Sequence, residues 1–275
     1  MNLKEKLIIN AAITGTVLYK KDTPHLPTSV DEIVSCAKRV REAGASIVHV
    51  HARNLDESPS FDPDLYNEIV QKIRAATDLI VCVSLSGRFV SDVNIRANPL
   101  VSRPDLASLT LGSMNFVSQA SVNSPDTIRE LANRIYAVNA VPELEIFEAG
   151  FINFSQYLVR KEILKSPLYF NIILGSLGAA PLDLVGLGHM VSMLPKDSIW
   201  SVGGLGQYQL DANVMSISAG GHVRVGLEDN IYYDRPRTDL ADNPRLVERI
   251  ARIAREMGRE PATPQEARQM IGLAT

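Results

Sequence analysis

The amino-acid sequence predicts a (β/α)8 barrel, a closed ring of eight parallel strands with helices outside it. Eight short apolar runs alternate with amphipathic stretches along 275 residues, a usual length for one such barrel. The runs are apolar throughout, as expected for parallel strands that are covered on both faces. An open doubly wound sheet would also alternate, but Thr14-Gly-Thr16 is too short for the glycine-rich phosphate loop of that fold. We therefore predict one domain over residues 1–275, with additional C-terminal helices.

The apolar runs define the strands, and capping residues mark the helices between them. Asp62 and Ser124 each precede a proline, which is typical of a helix start because a short polar side chain caps free amide groups. Thr263-Pro-Gln-Glu266 has the spacing of a capping box. Residues 92–97 give only a short helix, the weakest element of the pattern. The predicted strands are 7–13, 45–52, 79–85, 106–111, 144–147, 168–174, 199–202 and 222–227; the longer helices are 29–42, 63–76, 125–138, 152–164, 181–194, 207–218 and 245–257.

Composition excludes several classes of protein. The formal net charge is −3, so no basic surface suggests a nucleic-acid partner. No apolar run is long enough to span a bilayer, and residues 1–6 lead into an apolar run without the pattern of a signal peptide. Cys36 and Cys82 lie far apart in sequence, and two buried, reduced thiols are the simplest interpretation. We expect a cytoplasmic protein with small-molecule partners.

Two histidines indicate a metal site. His49 and His51 lie two residues apart in the second predicted strand, and side chains at i and i+2 of a strand point to the same face. Glu228 and Asp229 follow the last predicted strand, and the C-terminal ends of barrel strands meet at one mouth. Two histidines and one carboxylate around zinc leave a coordination position open for substrate. The pattern predicts a metal-dependent enzyme.

Four segments together resemble the β-keto acid cleavage enzyme family, of which 3-keto-5-aminohexanoate cleavage enzyme is the first described member. They are NAAITG at 10–15, AGASIVHVH at 43–51, GGHVRVGLEDN at 220–230 and ATPQEAR at 262–268. The segments are spread over nearly the full length, and they are specific in combination. The resemblance implies a homotetramer of (β/α)8 barrels, each with one Zn²⁺ held by His49, His51 and Glu228. It also implies that a β-keto acid and acetyl-CoA react to give acetoacetate and a new acyl-CoA.

The resemblance extends to residues around the metal. Ser84 and Ser108 match the family's hydroxyl residues on the third and fourth strands, and we expect them to bind carboxylate or oxyanion oxygens of the substrate. Arg224 and Asp229 match the arginine and aspartate of the strand 8 signature. Removal of a proton from C2 of the β-keto acid needs a base, and Asp229 is our candidate. Arg224 would orient Asp229 or the substrate carboxylate, or else make a structural salt bridge inside the barrel.

The sequence departs from the family pattern at the loop after the first strand. Members that act on amino-substituted keto acids can carry an acidic residue where this chain has Val17. Without a carboxylate there, burying a primary ammonium group would be costly, so a neutral or apolar side group is expected on the substrate. Two alternatives stay open: a quaternary ammonium on the ring face of Tyr19, and an acid supplied by another loop, with Glu148 as the candidate. A second departure follows Ser84, where the chain reads Leu-Ser-Gly-Arg88 and some relatives have Thr-Gly-Gly.

Two other functions fit the same residues. A zinc-dependent aldolase or hydrolase would act on a keto acid without a thioester. A non-catalytic metal-dependent binding protein would bind keto acids and release no acetoacetate. The sequence carries no glycine-rich CoA motif that separates these alternatives, because CoA can bind at a barrel rim with few sequence marks.

Overall fold

Eight parallel strands close into a barrel in the computed structural model, which describes residues 3–273. Each strand pairs with its sequence neighbour, and the last pairs with the first, in the order β1-β8-β7-β6-β5-β4-β3-β2. The predicted (β/α)8 fold is therefore confirmed, whereas a single domain over residues 1–275 stays a prediction. The strands are β1 (Ile9–Ala12), β2 (Ile47–Val50), β3 (Ile80–Val83), β4 (Leu106–Thr110), β5 (Val141–Ile146), β6 (Tyr169–Leu174), β7 (Ile199–Gly204) and β8 (His222–Val225).

Helices surround the barrel, and three of them begin at the predicted caps. Asp62 and Ser124 each accept a backbone hydrogen bond from the first turn, and Thr263 with Glu266 forms the predicted capping box. The connection from β3 to β4 has only the short α3, followed by a 3-10 helix over Asn98–Ser102. The helices are α1 (Val30–Ala43), α2 (Pro63–Ala76), α3 (Val93–Ala97), α4 (Pro125–Ala137), α5 (Ala149–Arg160), α6 (Leu184–Met193), α7 (Gln209–Ser218), α8 (Asn243–Glu256) and α9 (Pro264–Ile271).

Three predicted starts were wrong by three residues, and the helix predicted to end at 164 ends at Arg160. β5 begins at Val141 instead of 144, because Pro142 and Glu143 interrupt the apolar run although both are buried. α5 begins at Ala149 instead of 152. α6 begins after Asp183, whose side chain caps the first turn, so Pro181 precedes the helix. The first of these errors matters for function, because it concealed an inward-facing carboxylate.

The C-terminal helix α9 closes the bottom of the barrel. Its side chains Ala267 and Ile271 pack in one apolar cluster with Ile8, Ile47 and other residues near the N-terminal ends of the strands. The Ser46 hydroxyl donates a hydrogen bond to the carbonyl of Ala262 at 2.6 Å, which ties the segment before α9 to β2. These contacts leave the opposite end, where the strands finish, as the open mouth.

Two further observations concern buried side chains. Cys36 and Cys82 are buried free thiols, as predicted. His222 at the start of β8 has a structural role: its Nδ1 accepts a hydrogen bond from the amide of Ile8 at 3.0 Å. Within residues 3–273, none of the helices has the length and apolar character needed to cross a bilayer.

Candidate active site

His49, His51 and Glu228 meet at the mouth of the barrel. His49 lies on β2, His51 follows the end of that strand, and Glu228 lies three residues beyond β8. The two Nε2 atoms are 3.3 Å apart, and His51 Nε2 lies 3.3 Å from Glu228 Oε1. His49 Nε2 is 3.9 Å from Glu228 Oε2. The structure thus brings together the three residues that the sequence predicted as metal ligands.

Two glycines allow Glu228 to reach the histidines. Gly226 has a φ of +155°, and a Cβ there would lie 2.1 Å from the carbonyl oxygen of Ala12, so only glycine fits where the chain leaves β8. Gly15 has a φ of +66°, and a Cβ there would lie 2.7 Å from Glu228 Cγ. The amide of Glu228 then donates to the carbonyl of Ala12 at 3.2 Å, which holds the turn against β1.

The donor atoms of this cluster fit a divalent ion. Metal–ligand distances of about 2.0–2.2 Å in a tetrahedral zinc site put neighbouring donor atoms roughly 3.3 Å apart. Two of the three observed separations have that value and the third is 0.6 Å longer. Glu228 Oε2 is buried and has no hydrogen-bond partner among residues 3–273, as expected of an oxygen that a cation would satisfy.

Glu143 contacts the ring nitrogen of His49 that points away from the cluster. This residue was not predicted from the sequence as part of the site. Its Oε2 lies 2.9 Å from His49 Nδ1, and both side chains are almost completely buried. Burial acts to raise the pKa of Glu143, but the charge of His49 and its hydrogen bond outweigh it, so the pKa lies below its ordinary value. With Nδ1 donating to this carboxylate, the lone pair of His49 Nε2 faces the cluster. The detectable signal was Glu143-Leu-Glu145, two acids at strand spacing in one buried run.

Arg224 on β8 links the carboxylates of Glu228 and Asp229. Its Nη2 lies 2.7 Å from Glu228 Oε1, and its Nε donates to Asp229 Oδ2 at 2.8 Å. Burial raises the pKa of Asp229 above its ordinary value, against the opposing charge of Arg224. Arg224 Nη1 is buried without a hydrogen-bond partner in the described part of the chain. Arg224 and Asp229 thus line the same cavity, and one nitrogen of the guanidinium is left without a partner among the described residues.

Most of the predicted site residues line one cavity at the mouth, but three do not: His49, which lies behind His51 with its Nε2 3.3 Å from His51 Nε2, Ser108 and Val17. Ser108 is buried, and its hydroxyl accepts a hydrogen bond from the amide of Leu85 at 3.1 Å, so it supports the end of β3 from below. Val17 is 53% exposed and lies outside the cavity. The substrate-binding roles of Ser108 and Val17 stay predictions. The cavity is lined by Thr16, His51, Ser84, Ser86, Arg88, Thr110, Phe116, Ser121, Glu145, Phe147, Ile173, Leu205, Arg224, Glu228 and Asp229.

Comparison with known proteins identifies the family of this chain. The sequence model of the beta-keto acid cleavage enzyme family matches residues 6–273. The chain belongs to this family. The 3-keto-5-aminohexanoate cleavage enzyme of Fusobacterium nucleatum subsp. nucleatum is 36% identical over 274 residues, covering 98% of this chain and 99% of the relative. The 3-oxoadipate:acetyl-CoA acetyltransferase of Cupriavidus necator is also 36% identical, covering 98% of this chain and 96% of the relative.

A solved structure shares the fold of this family member. The binary complex of ObcA with oxaloacetate superposes with a TM-score of 0.77 at 20% sequence identity. The match covers 92% of this chain and 68% of the ObcA chain, so this protein spans about two thirds of that neighbour. The family resemblance predicted from the four sequence segments is confirmed.

Proposed function

We propose that this protein is a zinc-dependent β-keto acid cleavage enzyme, which converts a β-keto acid and acetyl-CoA into acetoacetate and a new acyl-CoA. The observation that carries the proposal is one cavity lined by His51, Glu228 and Asp229, with Arg224 holding both carboxylates. His49 completes the cluster, with its Nε2 3.3 Å from His51 Nε2. Membership of the family and the names of the two 36% identical relatives support the same reaction class.

His49, His51 and Glu228 would hold the zinc ion. Two imidazole nitrogens and a carboxylate oxygen are a common donor set for catalytic zinc. The ion would polarise the ketone of a bound β-keto acid and so acidify its C2 protons. Glu143 keeps His49 in the tautomer whose Nε2 lone pair faces the cluster.

Asp229 is proposed as the base that removes a C2 proton. Two hydrogen bonds from Arg224, at 2.8 and 3.2 Å, fix the orientation of its carboxylate. Asp229 is buried, and a dry environment makes a carboxylate more basic than it is in water. The unpartnered Nη1 of Arg224 would bind the substrate carboxylate while Nε and Nη2 hold Asp229. Ser84, which lines the cavity, would donate a hydrogen bond to a substrate oxygen.

The reaction balances without an external oxidant or reductant. The C2 carbanion attacks the carbonyl carbon of acetyl-CoA, and the CoA thiolate leaves. The thiolate then adds to the original ketone carbon of the substrate, and the bond between C2 and that carbon breaks. Acetoacetate leaves with the proton that Asp229 returns to C2, and the remainder of the substrate leaves as an acyl-CoA. Asp229 thus acts first as base and then as acid.

A panel of β-keto acids incubated with acetyl-CoA tests this function. Purified protein should release acetoacetate and convert acetyl-CoA into the new acyl-CoA in equal amounts, and it should contain about one divalent ion per chain. Cleavage of the β-keto acid in the absence of acetyl-CoA would favour the aldolase or hydrolase alternative. Binding of keto acids without any acetoacetate would favour the binding-protein alternative. Purified protein that contains no metal and whose activity is unchanged by chelators would contradict the zinc proposal.

The homotetramer and the cytoplasmic location belong to the same proposal. Leu177, Leu184 and Val185 lie in or before the start of α6 and are 84, 73 and 83% exposed, which supports burial of this region against another subunit. Light scattering should give about four times the chain mass of 30.1 kDa. A monomer at micromolar concentration would contradict the tetramer. Microscopy of a fluorescent fusion in cells tests the location.

A further inference from the structure

Arg88 projects into the candidate active site from the loop after β3. It lines the cavity that also contains His51 and Asp229, and it is partly buried. Its guanidinium carbon lies 3.4 Å from the centroid of the Phe116 ring, which lines the same cavity. Stacking on an aromatic face fixes the plane of a guanidinium and leaves its N–H donors at the edges free for an in-plane partner.

Arg88 is a cation without a matching acid. Among residues 3–273, no carboxylate oxygen lies within 4.0 Å of its guanidinium, and its side chain donates no hydrogen bond to protein. Arg224 pairs with Glu228 and Asp229. The carboxylate of Glu145 accepts a hydrogen bond from the Thr110 hydroxyl at 2.6 Å and lies beyond 4.0 Å of the Arg88 guanidinium in the described chain. A partly desolvated guanidinium in a binding cavity is costly unless a ligand supplies the anion.

A second buried guanidinium strengthens the positive charge of this loop. Arg96 on α3 is 1% exposed and donates to the carbonyl of Leu85 at 3.0 Å and to the amide oxygen of Asn123 at 2.8 Å. Its Nη1 has no hydrogen-bond partner in the described chain, and a Cβ on Gly87 would come within 2.8 Å of that atom. Two arginines without acid partners therefore flank the segment from Leu85 to Arg88.

Arg88 follows β3, which neighbours β2, and its guanidinium reaches toward the end of β4 by stacking on Phe116. Phe116, on which Arg88 stacks, belongs to the segment after β4, and β4 lies diametrically opposite β8 in the eight-stranded ring. Phe147 packs edge-to-face on Phe116 at 5.9 Å between ring centroids. A keto acid bound near Glu228 would extend its side group past these two rings toward the guanidinium.

We propose that Arg88 binds a carboxylate at the far end of the substrate's side group, and that the substrate class is a 3-oxo dicarboxylic acid. The two phenylalanine rings line the path of the methylene groups, and the guanidinium accepts the terminal carboxylate in a bidentate pair. The proposal rests on the proposed function for its turnover but not for its binding. It replaces the neutral side group expected from the Val17 position, because Val17 lies outside the cavity and Arg88 inside it.

Comparison of 3-oxoadipate with 3-oxohexanoate tests the proposal, because the two acids differ only in a terminal carboxylate or methyl group. At saturating acetyl-CoA, the wild-type protein should prefer 3-oxoadipate by roughly 10²-fold in kcat/KM, the scale of a buried charge pair. Arg88→Met should lower kcat/KM for 3-oxoadipate by about that factor, mainly through KM, since the contact is made in the ground state and transition state alike. The loss on 3-oxohexanoate should be at least about tenfold smaller.

Further variants separate binding from folding. Arg88→Lys keeps the charge but loses the planar fork, so it should retain part of the preference. Arg160→Met removes an exposed arginine from the last turn of α5 and should leave the ratio of the two kcat/KM values unchanged. Calorimetric titration of each acid without acetyl-CoA measures the same preference in the absence of turnover.

Equal losses on both acids in Arg88→Met would mean that Arg88 contacts a group common to both, and a wild-type preference for 3-oxohexanoate would also overturn the proposal. If neither acid is turned over but the titrations show tighter binding of 3-oxoadipate that depends on Arg88, the substrate class stands and the proposed function fails. If that binding preference is also absent, the proposal is wrong.

Discussion

Replacement of Glu143 by glutamine should weaken metal binding without touching a metal ligand. The Glu143 carboxylate accepts hydrogen bonds at both oxygens. Its Oε1 accepts from the side-chain amide of Asn10, and its Oε2 lies 2.9 Å from His49 Nδ1 and 3.4 Å from the Cys82 thiol. Glutamine offers one oxygen in the same space, so one buried donor would meet an NH2 group. Loss of such a partner should lower zinc affinity roughly 10- to 100-fold, or about 1.4 to 2.8 kcal/mol.

Competition with a chelator of known zinc affinity measures this effect. Glu148→Gln is the matched control, because Glu148 is exposed just beyond the same strand and should leave the affinity unchanged. Glu143→Asp keeps the charge and tests whether reach matters as well. Circular dichroism checks that each variant is folded. If folded Glu143→Gln binds zinc as tightly as the wild type, Glu143 does not support His49 in the way described.

Three further predictions concern the proposed base, backbone geometry and pH. Asp229→Asn should keep the metal and lose roughly 10²-fold or more in turnover, and loss of the metal would instead make Asp229 a ligand. Gly226→Ala should lower the free energy of unfolding by more than about 2 kcal/mol in urea titrations, because the added Cβ would clash with backbone. In the control Gly188→Ala, in α6, the added Cβ meets nothing within 4 Å and should raise that free energy by up to about 1 kcal/mol. A larger loss of stability in Gly188→Ala than in Gly226→Ala would refute the strain argument. Burial lowers the pKa of His222 to about 3, below its unfolded value, so its contribution to stability is full above about pH 6.5 and is lost as the pH falls toward 3. From pH 7.5 to 5 the wild type should lose about 2 kcal/mol more than His222→Gln, and equal losses would contradict this.

The barrel and the metal ligands were predictable because each leaves a periodic mark in the sequence. Parallel strands covered on both faces are continuous apolar runs, and eight of them could be counted. His49 and His51 share a face by the two-residue repeat of a strand. Glu228 follows the last strand, and in a closed barrel the last strand is a neighbour of the first. Topology alone therefore brings residues from distant parts of the chain together.

Glu143 and Arg88 were not predictable in the same way. A buried carboxylate breaks an apolar run, so the start of β5 was taken as loop and Glu143 was passed over. Arg88 lies in a loop, and no periodicity says whether a loop arginine faces solvent or the cavity. The orientation is set by stacking on Phe116, which is 28 positions further along the chain. Such contacts depend on the folded loops and leave no local pattern.

Carbon labelling tests the central claim most directly. The protein is incubated with an unlabelled β-keto acid and acetyl-CoA that carries ¹³C in both acetyl carbons, and the products are read by NMR. The account predicts acetoacetate with ¹³C only at C3 and C4, its C1 and C2 coming from the keto acid, together with an acyl-CoA whose acyl group is unlabelled. Unlabelled acetoacetate, labelled acetate as the main product, or ¹³C in the acyl group of the newly formed acyl-CoA would contradict it.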